Sequence, residues 1–160
     1  RRRNKEIPPI NHYSKTPSIT VGVFVLLGTF HKICMFHQKH MNHNQNYGKI
    51  GEEIAKQYLL RNGYEIVHKN YHIGRDEVDL IAEHNNNIIF VEVKTRLSSS
   101  FGLAEYHFSH KKICFLRRSS WKYCAARDIP EENIRIEGIA INLDLYNKMA
   151  NIKHFPNLIF

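Results

Sequence analysis

The chain has only three cysteines in 160 residues, Cys34, Cys114 and Cys124, and no two of them form a Cys-x-x-Cys pair. That scarcity excludes a disulfide framework and a cysteine-built zinc module, and it points to a reducing, cytoplasmic setting. Eleven histidines do not restore a zinc reading, because five precede Asn44 and none stands at finger-like spacing from a cysteine pair. His107 and His110, three apart, read as an ordinary surface pair on one helical face. Long apolar runs are also missing. Residues 19–30 are the main apolar stretch, about half of what a membrane helix requires, so no membrane partner is expected. That stretch follows the basic start Arg1-Arg2-Arg3, yet no small-x-small cleavage site comes after it, which leaves the pattern of an export signal incomplete.

Acidic residues are scarce in two places. Residues 1–40 carry seven Lys/Arg and one acid, Glu6, and so hold +6 of the formal net charge of +8. Residues 41–160 carry 16 basic and 14 acidic side chains, a net of +2, so the overall charge says little about the folded part. Residues 94–127 are different: eight basic side chains stand against Glu105 alone. That segment is the candidate footprint for a phosphate backbone. Charge by itself does not separate such a footprint from a solvated basic helix.

The length suits one domain with a single modest core. Helical and strand periodicity becomes clear only from Met41 onward. Residues 1–40 are therefore expected to lie outside the domain, as a poorly ordered tail or an upstream extension of the reading frame, with an export segment as the rival reading. Residues 41–160 are expected to form the domain.

Within it, Ile50, Ile54, Ala55, Tyr58 and Leu59 recur at helical spacing and Asn62-Gly63 stops the run, which predicts a helix over residues 47–61. Glu52 falls at the edge of its apolar face, and Glu53 points into solvent. A first strand is predicted over residues 64–68. Residues 77–82 alternate, with Val78, Leu80 and Ala82 on one face and Glu77, Asp79 and Ile81 on the other. After the turn cluster His84-Asn85-Asn86-Asn87, a strand over residues 88–94 puts Ile88, Phe90, Glu92 and Lys94 on one face. Ser98-Ser99-Ser100 and Gly102 make a loop. A second amphipathic helix over residues 111–127 has Ile113, Leu116, Tyr123 and Cys124 inward and Lys111, Arg118 and Lys122 outward. A strand over residues 134–143 and a terminal segment over 152–160 follow. This order predicts an α/β sandwich, a mixed sheet with helices on its faces.

Pairing Glu83 with Ile88 sets Asp79 directly opposite Glu92, at a Cβ separation of about 5 Å. Two carboxylates that close share a divalent cation, or one of them keeps a proton. Phosphodiester hydrolysis needs a cation, an activated water and a positive group near the phosphate. Mg²⁺ or Mn²⁺ suits a site made of Asp79, Glu92 and the Val93 carbonyl, with Lys94 beside them and Glu52 arriving from the first helix to bind a second ion or a water. An E-x-K tripeptide alone is a weak signal. An aspartate at compatible register on the preceding strand strengthens it.

These residues resemble the YraN-like family of small uncharacterised bacterial proteins, within the restriction-endonuclease-like PD-(D/E)xK nuclease superfamily. The resemblance runs through Gly48-Lys49-Ile50-Gly51-Glu52, Asn70-Tyr71, Glu77-Val78-Asp79-Leu80-Ile81-Ala82 and Phe90-Val91-Glu92-Val93-Lys94-Thr95-Arg96. It continues in Phe101-Gly102, Lys111-Lys112 and His154-Phe155-Pro156-Asn157. It implies a three-layer sandwich with a central mixed β-sheet flanked by helices, related to archaeal Holliday-junction resolvases. It also implies a metal-dependent nuclease site at Glu52, Asp79, Glu92 and Lys94. Residues 1–40 have no counterpart in the family. The strand Arg135-Ile136-Glu137-Gly138-Ile139-Ala140 departs from it, since the family more often has an aspartate and a larger apolar residue there.

The functional expectation is a Mg²⁺- or Mn²⁺-dependent nuclease, acting on DNA rather than RNA, with Arg96, Lys111, Arg118 and Lys122 as nucleic-acid contacts. A symmetric homodimer follows by analogy with resolvases. The alternatives are a nucleic-acid-binding module without cleavage, and an assembly protein whose basic helix binds an acidic partner.

Overall fold

The structure is a computed structural model and describes residues 19–23, 43–74, 76–97 and 108–158. The 98–102 loop, His107 and most of residues 1–40 lie outside these. The elements run β1 (Ile19–Val23), α1 (His43–Arg61), β2 (Glu65–Ile73), β3 (Asp76–His84), β4 (Asn87–Leu97), α2 (His110–Ala125), a single 3₁₀ turn (Glu131–Asn133), β5 (Ile134–Asp144) and β6 (Met149–Phe155). They form one six-stranded sheet of order β1-β6-β5-β4-β3-β2. Only β4 and β5 are parallel, and the sheet is therefore mixed. A parallel pair needs a long crossover, and the segment containing α2 supplies it.

Each face of the sheet carries one helix and one core. On the first, Ile50, Ile54, Ala55, Tyr58 and Leu59 of α1 pack over Leu80, Ala82, Ile89, Val91, Ile139 and Ile141. On the second, Ile113, Leu116, Tyr123 and Cys124 of α2 cover Val78, Ile81, Phe90, Ile134 and Ile136. The result is the expected three-layer α/β sandwich. β5 is buried along nearly its whole length and β4 from Ile88 to Val93, which explains why they read as apolar runs.

Three details position the site. First, α1 lies very close to β4: a Cβ on Gly51 would fall 1.7 Å from Thr95 Oγ1, so only glycine permits this approach. Second, the hairpin register is the expected one, with Glu83 opposite Ile88 and His84 opposite Asn87. Asn85 and Asn86 form its two-residue loop with φ of 48° and 61°, the left-handed pair that a tight hairpin requires. Third, the alternation breaks at Asp79. Val78 joins the α2-side core, although it was expected on the same face as Leu80 and Ala82, which pack under α1.

The sequence reading placed residues 1–40 wholly outside the domain. The structure differs for Ile19–Val23, which pair antiparallel with β6 at the sheet edge. β6 was also under-read: it starts at Met149 and forms a hairpin with β5 instead of a detached terminal segment.

Candidate active site

The β3–β4 ladder stops at Leu80 opposite Val91, one step before the rung on which Asp79 would face Glu92. There the Asp79 side chain takes over from the backbone: the Val93 N–H donates to Asp79 Oδ2 at 2.7 Å. A strand residue's N–H and C=O point to the same edge, so the Val93 carbonyl also faces this gap. On the other side of Asp79, the β2–β3 register brings Asn70 to the same rung, and Asn70 has φ of 50° in mid-strand. A left-handed asparagine, an interrupted ladder and a side chain acting as backbone partner thus coincide on one rung. Local strain of this kind concentrates at functional sites.

Glu92 is 1 % exposed. Lys94 Nζ donates to its Oε1, and Lys112 Nζ, from the first turn of α2, stands 3.2 Å from Oε2. The second contact is an ion pair without hydrogen-bond alignment, which leaves Oε2 as a buried oxygen with no hydrogen-bond donor. Lys112 Nζ also donates to the Glu77 carbonyl at 3.1 Å, fixing the ammonium over the β3 end of the gap. Burial, and next the charge of Glu92, push the Asp79 carboxyl up to about 7, against the opposing pull of the Val93 N–H, Lys112 and Lys94.

Gly138 is the register partner of Glu92 on β5. A Cβ there would meet Leu158 Cδ1 at 2.8 Å and Phe108 Cζ at 2.9 Å. Glycine at this position therefore makes room for two apolar side chains that close over the strand beside Glu92.

The sequence-predicted residues separate into three groups. Asp79, Glu92, Val93 and Lys94 come together at the split. Glu52 does not join them as a third carboxylate: it accepts a hydrogen bond from Asn70 Nδ2 at 3.0 Å, so Asn70 links it to the Asp79 rung. Among the described residues no three His, Cys, Asp or Glu side chains are gathered closely enough to hold a metal ion. Arg96 is exposed two residues beyond Lys94, and Lys111, Arg118 and Lys122 are exposed along α2.

Sequence reasoning missed Lys112 and Asn70. Lys112 shares a helical face with Leu116, Ser119 and Tyr123, all buried, and that spacing already aimed it at the sheet. The Asn70 conformation leaves no comparable periodic signal.

The donors fit a hard divalent cation. A half-buried and a buried carboxylate side by side disfavour joint ionisation, one buried oxygen lacks a donor, and a further carbonyl faces the gap. So few protein ligands suit an ion such as Mg²⁺ that keeps several waters.

A second buried acid lies on the α1 side. Glu137 Oε2 is 2.7 Å from His154 Nε2 and accepts from the Tyr64 hydroxyl at 3.2 Å, and Tyr58 Oη is 3.3 Å from His154 Nδ1. Burial, followed by the Glu137 charge, raises both tyrosine hydroxyls above the usual phenol range.

No helix among the described residues is long and apolar enough to cross a membrane. The model of Uncharacterised protein family UPF0102 matches residues 51–141, a span that includes Glu52, Asn70, Asp79, Glu92, Lys94 and Lys112. A UPF0102 protein of Alkaliphilus oremlandii is 38% identical over 114 residues, covering 71% of this chain and 97% of the relative. A UPF0102 protein of Syntrophomonas wolfei is 39% identical over 116 residues, with the same 71% and 97% coverage. That of Persephonella marina is 35% identical over 107 residues, covering 67% and 90%. The solved structure of Pyrococcus furiosus SfsA in complex with Ca²⁺ covers 72% of this chain and 65% of that chain at 14% identity and a TM-score of 0.34, a likeness too loose to use. With its family motifs on the rungs that build the split, the chain belongs to Uncharacterised protein family UPF0102, the YraN family.

Proposed function

We propose that this chain is a metal-dependent nuclease that hydrolyses phosphodiester bonds, in DNA before RNA, at the β3–β4 split. The observation that carries the reading is half-buried Asp79 beside buried Glu92, one of whose oxygens has no hydrogen-bond donor, flanked by Lys94 and Lys112. Asp79, Glu92 and the Val93 carbonyl would hold a Mg²⁺ or Mn²⁺ ion. When bound, such an ion supplies Lewis-acid charge stabilisation and lowers the pKa of a bound water.

The chain's own residues account for the remainder. The Val93 N–H fixes the Asp79 carboxylate. Glu92 anchors the ammonium groups of both lysines, so they are positioned before substrate arrives and need no reorganisation during the reaction. Lys94, partly exposed, is placed to stabilise charge on the attacked phosphate or to orient the attacking water. Glu52 and Asn70 brace the rung from the α1 side. Two-fold pairing of copies would present two such sites to a four-way junction.

The test is to incubate the protein with duplex, single-stranded and four-way-junction DNA in Mg²⁺, Mn²⁺ or EDTA. Metal-dependent cleavage that disappears in Asp79→Ala supports the nuclease. Salt-sensitive binding without cleavage in any condition supports instead a binding module. One observation favours that second reading: the two lysines already neutralise Glu92, and no third carboxylate joins the pair.

A further inference from the structure

The outer face of α2 carries an arrangement that the split does not use. Trp121 is the chain's only tryptophan, and it is 46% exposed on this face. Tryptophan is among the most deeply buried residue types on average, so a half-open indole on a helix already covering a core calls for another partner. The Arg117 guanidinium stands over its ring at 5.3 Å from the centroid. Arg117 and Arg118, both exposed, stand four and three residues before Trp121 and share its face, while exposed Lys122 follows it at the edge of that face. The helix contains no Asp or Glu, so none of its own side chains neutralises these cations.

The same helix reaches the candidate site through Lys112, which contacts Glu92. Nine residues separate Lys112 from Trp121, about 13 Å along the axis. That is about four nucleotides at ~3.4 Å each along a stacked strand. Nine residues are two and a half turns, so Trp121 lies on the opposite side of α2 from Lys112, and a polyanion leaving the split would meet it only after crossing over the helix, at least that far from the split. In a regular duplex the base faces are stacked on one another, and an exposed indole finds them only where bases are unpaired.

We propose that the outer face of α2 is a stacking platform for an unpaired segment of nucleic acid, with Trp121 receiving a base and Arg117, Arg118 and Lys122 holding the flanking phosphates. This deepens the nuclease reading by naming its substrate class, nucleic acid with a single-stranded stretch, and it rests on that reading only for the polymer's identity.

The single tryptophan provides its own probe. The full chain is titrated with an oligothymidylate and with a duplex of the same length, in EDTA, while Trp121 emission and the anisotropy of end-labelled DNA are followed together. The expected result is quenching that saturates with the anisotropy change, and tighter binding of the single strand than of the duplex. Trp121→Ala is expected to weaken the single strand about tenfold or more while leaving the duplex within about twofold, and Trp121→Phe to recover most of the loss. Both substitutions are at a half-exposed position, and circular dichroism confirms that each variant is folded. Binding of DNA with unchanged emission and no effect of Trp121→Ala overturns the inference while leaving the nuclease reading standing. Absence of any DNA binding at low salt overturns both. Polyglutamate at matched charge is the control, and if it binds as tightly as the oligonucleotide the face is merely basic and the inference fails.

Discussion

Glu92 and Glu137 are buried acids one rung apart on the parallel pair β4 and β5, yet they face opposite helices and are satisfied in opposite ways. Glu137, under α1, belongs to a closed network in which the Tyr64 hydroxyl and a His154 ring nitrogen serve the carboxylate and Tyr58 meets the other ring nitrogen. Glu92, under α2, is held by two ammonium groups, keeps an oxygen without a hydrogen-bond donor, and stands beside a second carboxylate that burial drives toward protonation. Burying an acid is costly in either place. The network around Glu137 offsets that cost within the protein, as a structural element does. The split around Glu92 is satisfied only in part, which is the condition of a site prepared for a ligand.

Five substitutions can break or sharpen this contrast. The largest effect is expected for Asp79→Ala and Glu92→Gln, each lowering metal-dependent cleavage by at least about a hundredfold with little change in fold. Initial rates on junction DNA, alongside circular dichroism, measure it. Glu137→Ala should do the reverse. It strands His154 and Tyr64 without an acceptor and costs about 1–3 kcal/mol per unpaired group, read from urea unfolding, while per-molecule activity at low temperature persists.

The next effect concerns pH. Asp79 is pushed up to about 7 in the folded chain against an ordinary value of 3.8, so the folded state binds this proton more tightly than the unfolded state. Below about pH 4 both states hold it and Asp79 costs nothing. Between there and about 7 its contribution to stability falls as pH rises, and above about 7 the full penalty remains. Asp79→Asn in EDTA should remove that decline and leave a chain more stable than wild type at pH 8, the usual trade between a strained site and stability. Thermal unfolding across this range measures it, and an unchanged pH slope would count against the carboxylate pair. The smallest effect is Tyr58→Phe, which deletes a long contact to His154 and should cost about 1 kcal/mol at most, with cleavage unaffected.

Much of the site was legible because it is local. The asparagine turn set the hairpin register, and that register placed Asp79 and Glu92 on one rung. Period-two alternation put Glu92 and Lys94 on one face, and helical spacing found both cores and the exposed Lys111, Arg118 and Lys122. What escaped depends on contacts distant in sequence. Lys112 meets Glu92 only after α2 folds back across the sheet. Asn70 adopts its left-handed backbone because β2 must accommodate the break at Asp79. β6 alternates too weakly to announce itself until β5 pairs with it. Glu52 was expected to bind a second ion or a water, from its place on the first helix and from the resemblance, and the structure holds it at one remove through Asn70. The strand Ile19–Val23 escaped because nothing in its own sequence marks its distant partner, Ala150 to His154 on β6.

The central claim is that the split, and not the Glu137 network, is built to receive a divalent cation. Isothermal titration of Mn²⁺ into the full chain at pH 8, above the raised Asp79 value, tests it most directly. The account predicts binding by wild type and by Glu137→Gln, and its loss in Asp79→Asn and Glu92→Gln. Undiminished Mn²⁺ binding in the Asp79 and Glu92 variants, or none in a folded wild-type chain, would contradict it.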